Sequence, residues 1–323
     1  MEKANRKSGT FLVILALSFM ITAVSYVLGV NMYRNNIRGN HYDYVHVQLT
    51  DFIENIRFSL HFGKDLQTFY KMNDLLLEQI QKNQNIDGLY VATGSGDVLF
   101  ATDGRELPAE VLKLVDYFYI DGERFYSIMP LDENTGAKLI SRCDSRHILL
   151  KESEHMIRFL VLSIIGYIIF ALVTGLLWAF FPKRSHITHL MMTVLFFWIA
   201  IISAVAFTGV YKEYSENTEV TKTSIEECVL HDINMIRDMG VADSSIKQPL
   251  DSYFSRYPDE IKSIESVTMD ENGNILVAIR PYFRTFVFRF LIQMAFFFII
   301  SSVILSIFER LTSPEAEEGG AGE

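Results

Sequence analysis

The sequence predicts an α-helical membrane protein in which four transmembrane helices carry two α+β domains outside the bilayer, the second a truncated copy of the first. Three observations predict it. Four runs are uncharged or nearly so: Phe11–Val30, Phe159–Phe181, Leu190–Val210 and Phe290–Phe308. Two polar blocks, about 31–158 and 211–284, interrupt a chain of 323 residues that is 50% hydrophobic. A fixed offset relates the halves. Gly63 and Gly240, and likewise Gly96 and Gly273, are 177 residues apart, and Val98, Leu99 and Ala101 fall on Ile275, Leu276 and Ala278.

Each apolar run is close to the ~20 residues that a helix needs to cross ~30 Å of hydrocarbon. Lipid cannot satisfy exposed backbone groups, so each run is expected to be helical. The resulting plan is a cytoplasmic N-terminus (1–10), a first helix (11–30), a first outer domain (31–158), a second helix (159–181) and a cytoplasmic turn (182–189). A third helix (190–210), a second outer domain (211–284), a fourth helix (285–308) and a disordered acidic tail (309–323) follow. The first run is long for a signal-peptide core of about 7–15 residues and has a counterpart at 188–207, so it is read as a retained helix.

Orientation follows the short basic segments. Lys3, Arg6 and Lys7 precede the first run, and Lys183 and Arg184 lie between the second and third. The positive-inside rule places both in the cytoplasm of a multi-pass cell-membrane protein, with both termini inside. Arg280, Arg284 and Arg289 run against this rule at the outer end of the fourth helix, where Arg289 is placed to snorkel to the interface. A net charge of −10 argues against a nucleic-acid partner.

Taken in order, 31–62 has few breakers, and Val45, Leu49, Phe52, Ile56 and Ser59 step by alternating fours and threes, a coiled-coil-like seam. It suits packing on its own domain, or pairing with a second copy in a homodimer. A second helix is expected over Leu66–Lys82, with Phe69, Met72, Leu76 and Ile80 on one face. Gly94-Ser-Gly-Asp separates two apolar runs as a hairpin turn, and Asp121-Gly122 does the same for Tyr117–Ile120 and Arg124–Met129. Pro108–Val115 reads as a short helix and Ala137–Cys143 as a fifth strand. The second block keeps a long helix (211–239) with the stripe Ile225, Val229, Ile233 and Ile236, a shorter helix (245–257) and one hairpin (263–279). A lone hairpin is marginal in water, so it must pack on its own helices, on the first domain or on a partner.

Two helices and then a sheet opening with Ile86-Asp-Gly-Leu-Tyr-Val and Gly96-Asp-Val-Leu resemble the Cache and PAS-like extracytoplasmic sensor domains of bacterial membrane receptors. The second block shows Ile264-Glu-Ser-Val-Thr-Met and Gly273-Asn-Ile-Leu at the corresponding places. The resemblance covers nearly all of the first block and part of the second. It implies a small ligand held between sheet and covering helix, and a membrane-linked helix that moves in response. The residues after Phe308 carry no HAMP-like linker, phosphoacceptor histidine region or cyclase motif, so any signal is expected to pass through a separate cytoplasmic or membrane partner. The family's arginine–tryptophan amino-acid recognition pattern is absent from the first block, since Trp178 and Trp198 both lie in apolar runs and suit packing or interfacial roles.

No P-loop, HExxH, Gly-x-Ser-x-Gly or CxxC occurs, so neither an enzyme nor a cofactor is expected. His186 and His189 suit a solvated turn, and His41, His46 and His61 lack the spacing of one metal site. No Asp, Glu or Lys lies mid-membrane, which counts against an ion-coupled carrier, and Gln293 is suited to an interhelical hydrogen bond. Ligand-binding candidates by position are Tyr90, Tyr119, Tyr126 and Arg142 on strands and Arg57 on the covering helix, the arginines being able to hold a carboxylate by bidentate bonds. Cys143 and Cys228, one per block, form a disulfide candidate in an oxidising compartment. The leading expectation is a sensor or receptor subunit that binds a small molecule or protein. The alternatives are a permease-like subunit of an ABC-type mechanotransmission complex, disfavoured by a turn too short for a coupling helix, and an extracytoplasmic scaffold or assembly protein.

Overall fold

Four helices are long and apolar enough to cross a membrane, and a five-stranded antiparallel sheet accompanies them. The computed structural model describes residues 2–132, 135–180, 184–238, 254, 264–270, 274–279 and 283–311. For 2–10, 184–192, 213, 217, 228, 231, 232, 235–238, 283–286, 305 and 308–311 it describes the backbone only. The expected helix over 245–257 therefore lies outside the described residues, apart from the helical Phe254, as does the tail beyond 311.

The chain divides into two units. The first comprises Met1–Arg34, Ser153–Glu213 and Pro281–Glu323, and the second Asn35–Glu152 and Tyr214–Arg280. Helices α1 (Glu2–His61), α4 (Arg146–Phe180) and α5 (Arg184–Asp238) each run through both, and α6 (Phe283–Leu311) belongs to the first.

Membrane helices gain little from apolar burial against one another, because lipid is equally apolar, so close packing and polar contacts must hold them. The first unit shows both. Ile14, Leu17 and Ile21 of α1 pack with Phe170 of α4, Trp198 and Ile202 of α5, and Phe297 of α6. Trp198 Nε1 donates to Thr22 Oγ1 at 3.1 Å, and Gln293 Nε2 donates to Ser25 Oγ at 3.4 Å, the interhelical bond that its position suggested. Trp198 is a packing residue: its ring lies where a Cβ on Gly166 would meet it at 2.9 Å.

In the second unit the sheet has the order β2-β1-β5-β4-β3, built from β1 (Ile86–Ala92), β2 (Val98–Ala101), β3 (Tyr117–Asp121), β4 (Arg124–Asp132) and β5 (Ala137–Asp144). Short helix α3 (Ala109–Lys113) follows β2. The seam on α1 is buried at Val45, Leu49, Phe52 and Ile56, with Ile53 beside it. Tyr42 and Arg57 anchor the helix to β4, donating to the carbonyls of Ile128 and Pro130. Farther down, Arg38 clamps α4 with a bidentate ion pair to the buried Glu152, at 2.5 and 2.8 Å.

One expected helix is broken. Leu66–Thr68 form a 3₁₀ turn capped by Asp65, and α2 proper runs only over Met72–Lys82, behind Lys71 at φ 57°. The apolar period continues through this break, since Met72 and Leu76 are buried, while Phe69 sits outside the helix.

The second block supplies a two-stranded sheet, β6 (Ile264–Met269) with β7 (Ile275–Ile279). It packs on Ile225, Val229 and Ile233 of α5, on Phe254 and on Val47 of α1. The hairpin thus finds the apolar cover that it needs in its own helix and in the first block.

Candidate functional site

The sheet has two faces, and the register assigns the candidate residues to them. Tyr119 pairs with Tyr126, Tyr126 with Arg142, and Arg142 with Gly88, which makes one row across β3, β4, β5 and β1. Directly paired residues share a face, so Tyr119, Tyr126 and Arg142 stand together. Tyr90, two residues beyond Gly88, joins them and packs with Val111 of α3 in a core that includes Tyr126, Ile128 and Ile140. Phe125, adjacent to Tyr126, points the other way and meets His41 of α1, with ring centroids 4.7 Å apart. Arg57 belongs to that opposite side, where it pairs with Glu54 at 2.8 Å and donates to the Pro130 carbonyl. The structure therefore brings four of the five candidates together, but it separates Arg57 from Arg142 by the thickness of the sheet, and the two cannot grip one carboxylate.

Arg142 is 4% exposed, and acceptors surround it. Its Nε donates to Asp87 Oδ1 at 2.7 Å, and Nη2 donates to Asp103 Oδ2 at 2.8 Å and to the Asp87 carbonyl at 3.1 Å. Nη1 donates to the Tyr90 hydroxyl, which in turn donates to Asp103 Oδ1 at 2.6 Å. Asp87 also pairs with Arg124. A buried guanidinium is tolerated when its donors are filled in this way. Burial alone would raise the Asp103 carboxyl, but the bonds from Tyr90, Arg142 and the Arg105 amide hold it below its ordinary value. Burial and the bond to Asp103 push the Tyr90 hydroxyl the other way, upward.

Gly88 and Asp87 were legible only in part. A Cβ at Gly88 would lie 3.1 Å from Arg142 Cζ and 3.0 Å from the Tyr90 hydroxyl, so the glycine in Ile86-Asp-Gly-Leu-Tyr-Val leaves room for the guanidinium. Asp87 sits where the β1–β5 register slips, between Ile86↔Cys143 and Gly88↔Arg142. A bulge re-aims a side chain, and no alternation pattern reveals it. Lys138 was missed as well. It is buried, its Nζ donates to the carbonyls of Leu112 and Leu114 at the C-terminal end of α3, and burial lowers its pKa.

Comparisons with protein-family models, with curated proteins and with solved structures find no match. The chemistry of this face is therefore read from its geometry. Arg142 has no open fork for a ligand. The hydroxyls of Tyr119 and Tyr126 make no hydrogen bond among the described residues, and Tyr119 is half-buried, so these two are the polar groups on offer. Cys143 lies on the α1 side opposite Phe125 as a buried free thiol, pushed up to about 12 by burial, and is therefore unreactive near neutral pH. The side chain of Cys228 lies outside the described residues. No group of three or more His, Cys, Asp or Glu that could hold a metal ion occurs among the described residues.

Proposed function

We propose that the chain is an integral membrane sensor or receptor subunit, in which the Cache-like first block receives a small molecule or protein and a separate partner protein carries the signal onward. The observation that carries this reading is α1. A single helix of 60 residues, about 90 Å long at 1.5 Å per residue, contains the first apolar run and ends beneath the sheet. The helix is continuous in its backbone from the apolar run to the sheet, and this continuity is the route we assign to the signal. Helix α4 leaves β5 after Ser145 alone and contains residues 159–180 of the second apolar run, and the Arg38–Glu152 pair joins the two helices. The row Tyr119–Tyr126 beside α3 is the place we assign to the ligand.

In this reading 31–158 and 211–284 lie outside the cell membrane and both termini lie in the cytoplasm, by the positive-inside rule. The second block is a truncated copy that keeps a long helix and one hairpin. The filled donors of Arg142 favour one further reading, an extracytoplasmic scaffold that binds envelope proteins without a small ligand. Mild-detergent co-purification from the native host, with mass spectrometry, tests both. A stoichiometric kinase, cyclase or chemoreceptor supports the sensor, and a nucleotide-binding ATPase overturns it in favour of an ABC-type complex. Envelope proteins alone favour the scaffold.

A further inference from the structure

We propose that a cleft in the membrane unit binds the phosphate headgroup of an anionic phospholipid. The cleft lies among α1, α5 and α6 and is lined by Gly29, Ser203, Phe207, Arg289, Phe290 and Gln293. Each helix contributes residues close to where the chain passes between the two units. Arg289 is exposed, lies within the apolar stretch Val287–Ile304, and makes no ion pair or hydrogen bond among the described residues. A charge on a membrane helix demands a counter-ion or water, and a guanidinium matches phosphate with two parallel donors. Ser203 adds a second unfilled group. It is 2% exposed, and its hydroxyl meets no partner among the described residues. Gln293 is already held by Ser25, which keeps its polar head at the cleft.

Size selects the kind of ligand. The enclosed space is about 20 Å³, room for one water-sized group. A soluble metabolite would not be enclosed, but one phosphate oxygen fits while the rest of an amphiphile stays outside. Phe207 and Phe290, with ring centroids 5.7 Å apart, give the acyl chains an apolar surface. The same site accounts for an arginine on the side of the membrane that the positive-inside rule disfavours, since the lipid phosphate balances its charge.

The test uses the full chain in mild detergent and titrates short-chain phosphatidylglycerol, short-chain phosphatidylcholine and inorganic phosphate, reading thermal shift and lipid retained in native mass spectrometry. Phosphatidylglycerol is expected to be retained and to raise Tm, with phosphatidylcholine doing far less. Arg289→Gln should lower the phosphatidylglycerol affinity roughly tenfold, Arg289→Lys less, and Ser203→Ala should weaken it modestly. Arg289 has no internal partner among the described residues, so Arg289→Gln without lipid should melt like the parent chain, which separates lost binding from lost folding. Equal retention by the parent and Arg289→Gln overturns the proposal. So does inorganic phosphate matching the lipid, which would make the cleft a free-anion site.

Discussion

At the scale of single residues, Arg142 acts as an anchor more than as a receptor. Its partners Asp87 and Asp103 are carboxylates that the fold has placed against it; removing the guanidinium leaves the exposed Asp87 with Arg124 but takes the main charge partner from the half-buried Asp103 and the acceptor-lined pocket. Arg142→Met is expected to destabilise the chain by about 2–4 kcal/mol, and Arg142→Lys by less, since an ammonium cannot replace the fork. Thermal melts of the full chain check this, and a melt unchanged by Arg142→Met would return the arginine to ligand duty. Two histidines make a separate forecast. Burial, with His147 adding, lowers His41 to about 4. Burial also lowers His46 to about 4, Arg57 assisting while Asp116 and Glu54 oppose. Both depressed values lie below the unfolded value of about 6.5, so the unfolded chain binds more protons between them and stability falls as pH drops from about 6.5 toward 4. Each histidine should contribute at most about 1.4 kcal/mol per pH unit in that window. A double His41→Asn, His46→Asn variant should show a flatter Tm–pH curve there, and an unchanged slope would sink the assignment.

At the scale of elements, the clamp between α1 and α4 deserves a swap experiment. Glu152 is buried and Arg38 three-quarters so, with both carboxylate oxygens engaged. Glu152→Gln should cost about 3 kcal/mol by leaving the arginine unmatched, and Arg38→Glu with Glu152→Arg should recover part of it, as a double-mutant cycle would measure. A cycle with no coupling energy would mean that the helices are held by packing alone. The same scale shows what was legible. Apolar runs set off by turn residues marked every strand of the main sheet, because turn chemistry is local. The membrane-length runs were legible for the same reason. The split of the helix expected over Leu66–Lys82 was not, because its apolar spacing continues across Lys71 and only the backbone, at φ 57°, shows the break. The tyrosine–arginine row could be guessed from strand positions. The separation of Arg57 and the aim of Asp87 could not, since they depend on which face α1 covers and on a register slip.

At the scale of the whole molecule, the two polar blocks are unequal in what they can sustain alone. The first has five paired strands and helices on both faces. The second has one hairpin, in which Ser266 and Thr268 stand where the motif of the first block has Gly88 and Tyr90, and no third strand to carry an arginine opposite them among the described residues. Among the described residues the chemistry of the Arg142 row therefore occurs in the first block, and the hairpin presents an apolar face. Ile264, Val267, Ile275 and Val277 are buried against Val229 and its neighbours on α5 and against Val47 on α1. Two strands with a few paired bonds do not hold themselves in water, so the hairpin should depend on these helices more than the main sheet does. Val229→Asp places a charge in this cluster without touching β1–β5. Hydrogen exchange of the full chain should then show the β6–β7 amides losing protection by at least about tenfold, an opening more favourable by ~1.4 kcal/mol or more, while Leu89, Ile128 and Leu139 stay protected. Loss of protection in both sheets together would mean that the polar blocks form one cooperative structure. Retained protection in β6–β7 would show that the α5 face is not what holds the hairpin.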